Sequence, residues 1–305
     1  MTRRDRLLVL GYHNIEGTWC WPARPRMGER RFGEQMRILS RVATVVDLRS
    51  ALDTLASGSA LPPRAVALTF DDGYRDNLTV AAPILRRWGM CGTIYLVPGL
   101  LDRSVHAWWE RLGWAIAGTA ARTLHYDGRE YRIGDPAQRL YAQRHIEGDV
   151  KHLDHATRTA RIEDLVDQLA PTTRYGADRL FLDWDSAADL ARAGLTVGSH
   201  TMEHPILARE SAETQRRSLT ESRQILQDRL GDEVATLAYP NGTRADYDPT
   251  TLQAVADAGY SYAVTTWGGR VSCADPPFEI SRHLVSPDMS PMRFAASLAK
   301  RFLRD

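Results

Sequence analysis

The sequence predicts an α/β fold, a distorted (β/α) barrel of about seven strands with a helical insertion, and three observations carry that expectation. Short apolar runs alternate with amphipathic helical patterns, the signature of a mainly parallel sheet covered by helices. Polar residues able to do chemistry follow directly on several apolar runs, at the strand ends where barrels carry their active sites. The alternation breaks once, from residue 100 to 182, and then resumes.

The elements follow in order. Leu7 to His13 is the first strand candidate, and Phe32 to Arg41 the first helix, where Met36 and Leu39, continued by Val42, recur at helical spacing. Strand candidates Thr44 to Leu48 and Ala65 to Phe70 come next, then an Asp/Asn-rich turn, a helix from Leu78 to Trp88 and a strand from Gly92 to Val97. The stretch from Leu100 to about Leu182 is helical and polar. It contains Trp108-Trp109-Glu110, a hairpin signal at Tyr126-Asp127-Gly128 and a charged run from Gln138 to Gln168. A run of this length between two barrel strands, on the side of the chemistry, reads as a subdomain or lid (100–182) inserted into one domain spanning 1–305. Strands Leu195–Ser199, Thr236–Tyr239, Ser261–Thr265 and Phe278–Leu284 complete the sheet. The helices Ser186–Ala193, Glu210–Leu230 and Pro249–Ala258 lie among them, each ending at a glycine as C-terminal capping predicts.

Composition narrows the function classes. With 43% apolar residues in 305 the chain can bury a sizeable core, and 39 basic against 38 acidic residues leave no basic field for a nucleic-acid partner. Leu7-Leu8-Val9-Leu10 is too short for a signal-peptide core or a membrane span, so no transmembrane segment and a cytoplasmic location are expected. Cys20, Cys91 and Cys273 are odd in number and scattered. That argues against a disulfide framework or a cysteine-ligated metal, and each reads as a small buried apolar residue.

Two constellations carry chemistry. In Leu68-Thr69-Phe70-Asp71-Asp72-Gly73-Tyr74, adjacent carboxylates end an apolar strand, and both reach one site only if the chain turns there, which Gly73 permits. Two like charges at one site repel unless a cation is present, so one carboxylate on a metal beside a second acting as base is a natural solution; a solvated turn is the bland alternative. In Val197-Gly198-Ser199-His200-Thr201-Met202-Glu203-His204-Pro205, histidines at i and i+4 of a helical turn share a face and suit one divalent ion, the alternative being a surface or core pair. Joined with Asp72 they leave coordination positions open, as catalytic sites do.

Thr69-Phe70-Asp71-Asp72-Gly73-Tyr74 followed by Ser199-His200-Thr201 and His204-Pro205 resembles the polysaccharide deacetylase family, also called the NodB homology domain or carbohydrate esterase family 4. Gly11-Tyr12-His13-Asn14, the stretch Trp184 to Gly194 and Ala238-Tyr239-Pro240-Asn241-Gly242 extend the likeness over most of the chain outside 100–182. The resemblance implies a NodB-like barrel and a metal-dependent hydrolase that removes an N-acetyl group from an amino sugar in a glycan, glycolipid or small glycoside. It makes Asp71 the base toward a metal-bound water attacking the amide carbonyl. Asp72, His200 and His204 become the ligands of a divalent metal ion, zinc first, with cobalt, nickel or iron as alternatives. Asn241 falls where the family offers a backbone N–H to the oxyanion. Where family members carry a late Leu-x-x-His whose histidine is the general acid, this chain has Ile280-Ser281-Arg282-His283. His283 is thus the candidate acid, although Arg282 competes for the inward position because neighbours on a strand face opposite ways. The arginine expected before the Tyr-Pro-Asn-Gly turn is missing, Thr236-Leu237-Ala238 standing there instead. His13 supplies a proton, orients substrate, or is simply a buried hydrogen-bonded histidine. Trp108 and Trp109 read as core anchors of the lid in preference to a sugar-stacking platform, Trp184 as packing, and Asp246 and Asp248 as turn and helix-start residues. The expected partner is an N-acetylated sugar, and a lipid-linked one would add peripheral membrane contact. An N-formyl sugar or another amide remains an alternative substrate, and a catalytically inactive glycan-binding protein an alternative class.

Overall fold

The computed structural model describes residues 6–22, 24 and 26–303. Its strands are β1 (Leu8–Tyr12), β2 (Thr44–Val45), β3 (Ala65–Phe70), β4 (Gly92–Leu96), β5 (Thr123–Tyr126), β6 (Arg129–Arg132), β7 (Leu195–Ser199), β8 (Thr236–Ala238), β9 (Tyr262–Val264) and β10 (His283–Leu284). The parallel sheet runs β10-β1-β3-β4-β7-β8-β9, with β2 paired to β3, and it curls into the expected barrel with helices outside. β1 and β3 are buried at every position, as unbroken apolar strands covered on both faces must be.

Strand alternation sorts the side chains into two layers. Leu8, Leu10 and Tyr12 face outward and join Phe32, Met36 and Leu39 of the helix Met27–Val42 in the outer core. Leu7, Val9, Ala65, Ala67, Tyr95, Ala238 and Val264 form a second cluster with Leu48, Leu52 and Leu55 of the helix Leu48–Ala56. The column Ala65, Ala67, Thr69 of that inner layer continues to Asp71, and Leu7, Val9, Gly11 to His13. The same two-residue period that packs the barrel interior thus delivers polar groups to its carboxyl end.

The seam is closed by one late stretch. Ala263 donates to Pro277 O, Ile280 to Ala263 O and Thr265 to Ile280 O, each at 2.9 Å, and three residues after Ile280 the chain pairs with β1 through Leu10↔His283 and Gly11↔Leu284. The predicted strand Phe278–Leu284 is therefore shared between the two ends of the sheet, and only His283–Leu284 forms a regular ladder.

Residues 98–182 pack around a cluster of their own that includes Trp108, Leu112, Ile116, Leu124, Ile146 and Ile162. Helices Trp108–Gly118, Pro136–Val150 and His155–Leu169 build it, with β5 and β6 antiparallel across a turn in which Asp127 (φ 49°) and Gly128 (φ 71°) are both left-handed. The helix Ala212–Leu230 ends at Gly231, whose φ of 78° lets its N–H reach Gln227 O. Two expectations need correction. The helix foreseen from Leu78 to Trp88 is divided into a π-turn, Asn77–Ala81, and an α-helix, Ala82–Arg87, because Pro83 has no N–H to return to Thr79. Of the cysteines only Cys20 is buried, within the apolar cluster as expected although its Sγ donates to Glu147 Oε1 at 3.2 Å; Cys91 is half-buried and Cys273 exposed. No helix of the described residues is long and apolar enough to cross a membrane.

Candidate metal centre

β3 ends at Phe70; Asp71 follows, and the next two residues, Asp72 (φ 72°) and Gly73 (φ 69°), are both left-handed. This reversal brings both carboxylates to one side, so the turn begins on Asp72 itself and not only on Gly73. A non-glycine residue held there costs of order 1–3 kcal/mol, a strain that the surrounding structure must impose. Both carboxylates are buried, at 2% and 3% exposure.

The histidine motif lies not on a helical turn but on an irregular loop after β7, in which Thr201 (φ 66°) and His204 (φ 58°) are left-handed. The i and i+4 spacing brings the rings together all the same, centroids 4.8 Å apart, through loop geometry. His200 Nδ1 donates to Ala238 O at 2.7 Å, which fixes the tautomer and leaves the Nε2 lone pair facing inward. Nε2 of His200 and of His204 stand 3.4 and 3.5 Å from Asp72 Oδ1. All three ligand atoms lie within 4.8 Å of one another in a buried cluster.

Two features of this cluster fit a metal ion. Asp72 Oδ1 is buried with no hydrogen-bond partner among the described residues, a state expensive for a carboxylate unless a cation completes it. Tetrahedral ligands at about 2.1 Å from zinc stand about 3.4 Å from each other, which the two measured separations match. Burial, then the positive charge of His200 and Arg158, keeps His204 far below its ordinary pKa and so neutral, as a ligand must be. Burial also acts to lower His200, but the Asp72 and Asp71 carboxylates outweigh it and raise its pKa.

Asp71 is held differently. Arg282, fully buried, donates from Nη1 to Oδ1 at 2.6 Å and from Nη2 to Oδ2 at 2.8 Å, a bidentate pair. Its Nε donates to Thr265 O at 3.0 Å and Nη1 also reaches Thr69 Oγ1 at 3.2 Å, so the guanidinium is fixed from the ends of two strands, β3 and β9. Burial pushes the Asp71 carboxyl up, but Arg282, His200 and His13 together outweigh it and hold it at about 2. His13 Nε2 lies 3.9 Å from Asp71 Oδ2, and the ring is partly open to solvent.

Alternation on the closing strand therefore gives the inward position to Arg282. His283 points outward, where Arg301 donates to its Nδ1 at 2.6 Å and burial and that cation lower its pKa to about 4. The structure does not bring His283 to the site, which corrects its assignment as general acid. Of the predicted histidines it is His13 that stands beside Asp71.

Asn241 sits at φ 59° in a three-residue turn closed by Gly242 N–H donating to Pro240 O at 2.7 Å, and Thr266 Oγ1 donates to its carbonyl at 2.7 Å. The turn follows Ala238, whose carbonyl holds His200, so Asn241 stands near the cluster. Its own N–H makes no hydrogen bond among the described residues. Asp246 accepts from Thr243 N–H at 2.8 Å and Asp248 caps the helix Pro249–Asp257, the structural roles foreseen for them.

Several residues of the inserted segment support the site in a way the sequence did not show. Trp109 packs on His204, centroids 4.5 Å apart, and its Nε1 donates to Tyr74 Oη at 2.8 Å, which donates to Glu110 Oε1 at 2.9 Å. Arg158, buried, reaches His204 O at 3.4 Å and lies over the Trp108 ring. Trp108 and Trp109 are 6% and 5% exposed, so they anchor the 98–182 segment and offer no face to a sugar. The tryptophans were readable as core anchors, but the chain from Asp72 through His204 to Glu110 exists only once the segments dock.

A family model described as polysaccharide deacetylase matches residues 58–263. The Bacillus subtilis (strain 168) protein YxkH, named for the same family, is 22% identical over 293 residues, covering 95% of this chain and 75% of that protein. The solved structure of Streptococcus pyogenes deacetylase PplD in complex with acetate is similar at TM-score 0.63 and 20% identity, over 97% of this chain and 99% of that one. IcaB from Ammonifex degensii is similar at TM-score 0.59 and 20% identity, over 96% and 97%. At such identities the structural likeness establishes the curled parallel barrel.

Proposed function

The chain belongs to the polysaccharide deacetylase family, and on that premise we propose that it is a metal-dependent hydrolase removing the acetyl group from the nitrogen of an amino sugar. The observation that carries this reading is a clamped carboxylate, Asp71, beside a buried triad, Asp72, His200 and His204, in which Asp72 Oδ1 has no hydrogen-bond partner among the described residues. One carboxylate is committed to a cation site and the other is kept free of it, as hydrolysis by an activated water requires.

A divalent ion held by Asp72, His200 and His204, for which we propose zinc, would acidify water and polarise the amide carbonyl. Asp71 stays ionised at any physiological pH and its two oxygens are oriented by Arg282, so it accepts the proton of the attacking water in a fixed direction. At about 2 it is a weak base on its own, and it suits a water that has already been made acidic. His13, partly open and 3.9 Å from Asp71, is placed to return a proton to the leaving nitrogen. The Asn241 N–H, without a hydrogen bond among the described residues, is the donor we assign to the developing oxyanion. Residues 100–182 act in this reading as a subdomain inserted into the barrel domain, seating Trp109 against His204.

The test is metal content and amide hydrolysis measured together. Wild type is expected to hold about one zinc and to release acetate from N-acetylated sugars, and Asp72→Ala and His200→Ala to lose both. A protein that takes up no metal under any loading condition would refute the catalytic reading, and release of formate in place of acetate from a matched N-formyl panel would move the substrate.

A further inference from the structure

The helix Pro291–Leu303 is apolar on two sides. Phe294 and Leu298 are buried and join the outer core with the helix Met27–Val42. On the opposite side Met292 and Leu303 stand about three turns apart, hence one above the other, with Ala295 and Ala299 exposed between them. At 81% and 73% exposure these two are the most open large apolar side chains among the described residues. A helix with apolar residues on its outer side as well as its inner one needs a second cover.

Beside this stripe a groove of about 300 Å³ runs between the two helices, walled by Ile38 and Val42 on one side and by Ala295, Ala299 and Phe302 on the other. The charged part of its wall is arginine alone. Arg64 and Arg270 hold their guanidinium groups 6.0 and 5.9 Å from the Phe302 ring. Across the stripe, about a quarter turn round the helix, stand the exposed Arg293 and Lys300. The helix Pro291–Leu303 contains no acidic residue, and residues 36–42 of the neighbouring helix contain none either but carry Arg37 and Arg41, both exposed. The charged residues of these two stretches and of the groove are therefore all basic, and none of them belongs to the metal centre.

We propose that this flank docks on an anionic lipid bilayer: Met292 and Leu303 enter the acyl boundary, an acyl segment fills the groove, and Arg293, Lys300 and Arg41 meet the headgroup phosphates. The chemistry matches an interfacial helix, which lies in the plane of the membrane with its apolar side inward and its basic residues at the level of the phosphates. Basic residues near such a surface add to the attraction one by one, and their long stems cover apolar surface while their heads reach outward. Two copies of this chain pressed together through the flank would set like charges against like, which disfavours a second copy as the cover. Charge of one sign on both sides of the stripe suits a partner that is negative along its whole face, as a bilayer containing anionic lipid is. The inference concerns where the chain acts and is independent of which bond it breaks.

The experiment is co-sedimentation of the full chain with phosphatidylcholine vesicles, alone or with about 30% phosphatidylglycerol, at about 0.1 and 0.5 M salt. Wild type is expected to partition about tenfold more strongly onto the anionic vesicles at low salt and to lose most of that preference at high salt. Met292→Ser with Leu303→Ser is expected to weaken binding to the anionic vesicles about tenfold at an unchanged melting temperature. Arg293→Glu with Lys300→Glu is expected to remove the preference for them. Absence of binding by wild type overturns the proposal, and so does equal binding by wild type and the serine pair, which would show that charge alone holds the chain. Should the serine pair fail to fold, Leu303→Ser alone and the glutamate pair decide by the same criteria. A wild type that ignores vesicles but self-associates in sedimentation velocity, through a contact the serine pair abolishes, gives the stripe to a second copy and likewise overturns lipid docking.

Discussion

Arg282 and Asp71 are the pair whose disturbance says most about single residues. A buried ion pair is expensive to break from one side, because the survivor is left charged in a dry environment. Arg282→Met is therefore expected to destabilise the protein by about 3 kcal/mol and to lower kcat about a hundredfold or more, since Asp71 loses both its orientation and its negative charge. The double variant Arg282→Met with Asp71→Asn should recover much of the lost stability and none of the activity, a combination that denaturant unfolding and acetate assays separate. His283→Ala, on the outer face, is expected to change kcat less than about twofold, and a loss comparable to that of His13→Ala would restore His283 as the acid. The missing arginine before the Tyr-Pro-Asn-Gly turn was visible in the sequence, and alternation left one inward place for Arg282 or His283. What no alternation rule could supply was that the inward residue would meet Asp71, because that depends on which strand closes the barrel.

At the scale of elements, the helix Trp108–Gly118 links the 98–182 segment to the ligands. Trp109→Ala is expected to cost about 3 kcal/mol in packing and to weaken zinc binding about tenfold by loosening His204, seen as a smaller rise in melting temperature on adding zinc. Glu110, on the same helix, has a carboxyl raised by burial from its ordinary value to about 7. The unfolded chain releases this proton near pH 4.5 and the folded one near 7, so the stability it contributes is complete below about 4.5 and is lost as pH rises to 7. Glu110→Gln is expected to gain up to about 3 kcal/mol relative to wild type across that interval, in thermal melts at pH 5 and 7.5; a constant difference would count against the assignment. The segment was legible as helical, though not its separate helices, and the Asp127-Gly128 hairpin from its turn residues. The loop at Thr201 to His204 was not, because its left-handed backbone is set by contacts with distant segments, Met202 N–H donating to Ser218 Oγ and Trp109 and Arg158 meeting His204.

Across the whole molecule, the alternation of strands and helices gave the barrel, and the placement of Asp71, Asp72 and His200 at strand ends pointed to the face that bears the site. The clamps that three distant segments, at 76–77, 110 and 143–144, place on residues 13–20 stayed unread because they form only once those segments dock. The seam holds a further consequence, one of timing. Asp71 and its guanidinium partner are 211 residues apart, and the partner lies on the last stretch to enter the sheet. During synthesis every other wall of the pocket leaves the ribosome before Arg282 does, and domains begin to fold as they emerge. Until the closing strand docks, the nascent chain carries Asp71 without the guanidinium that fixes both its oxygens, and that clamp is the last part of the site to form.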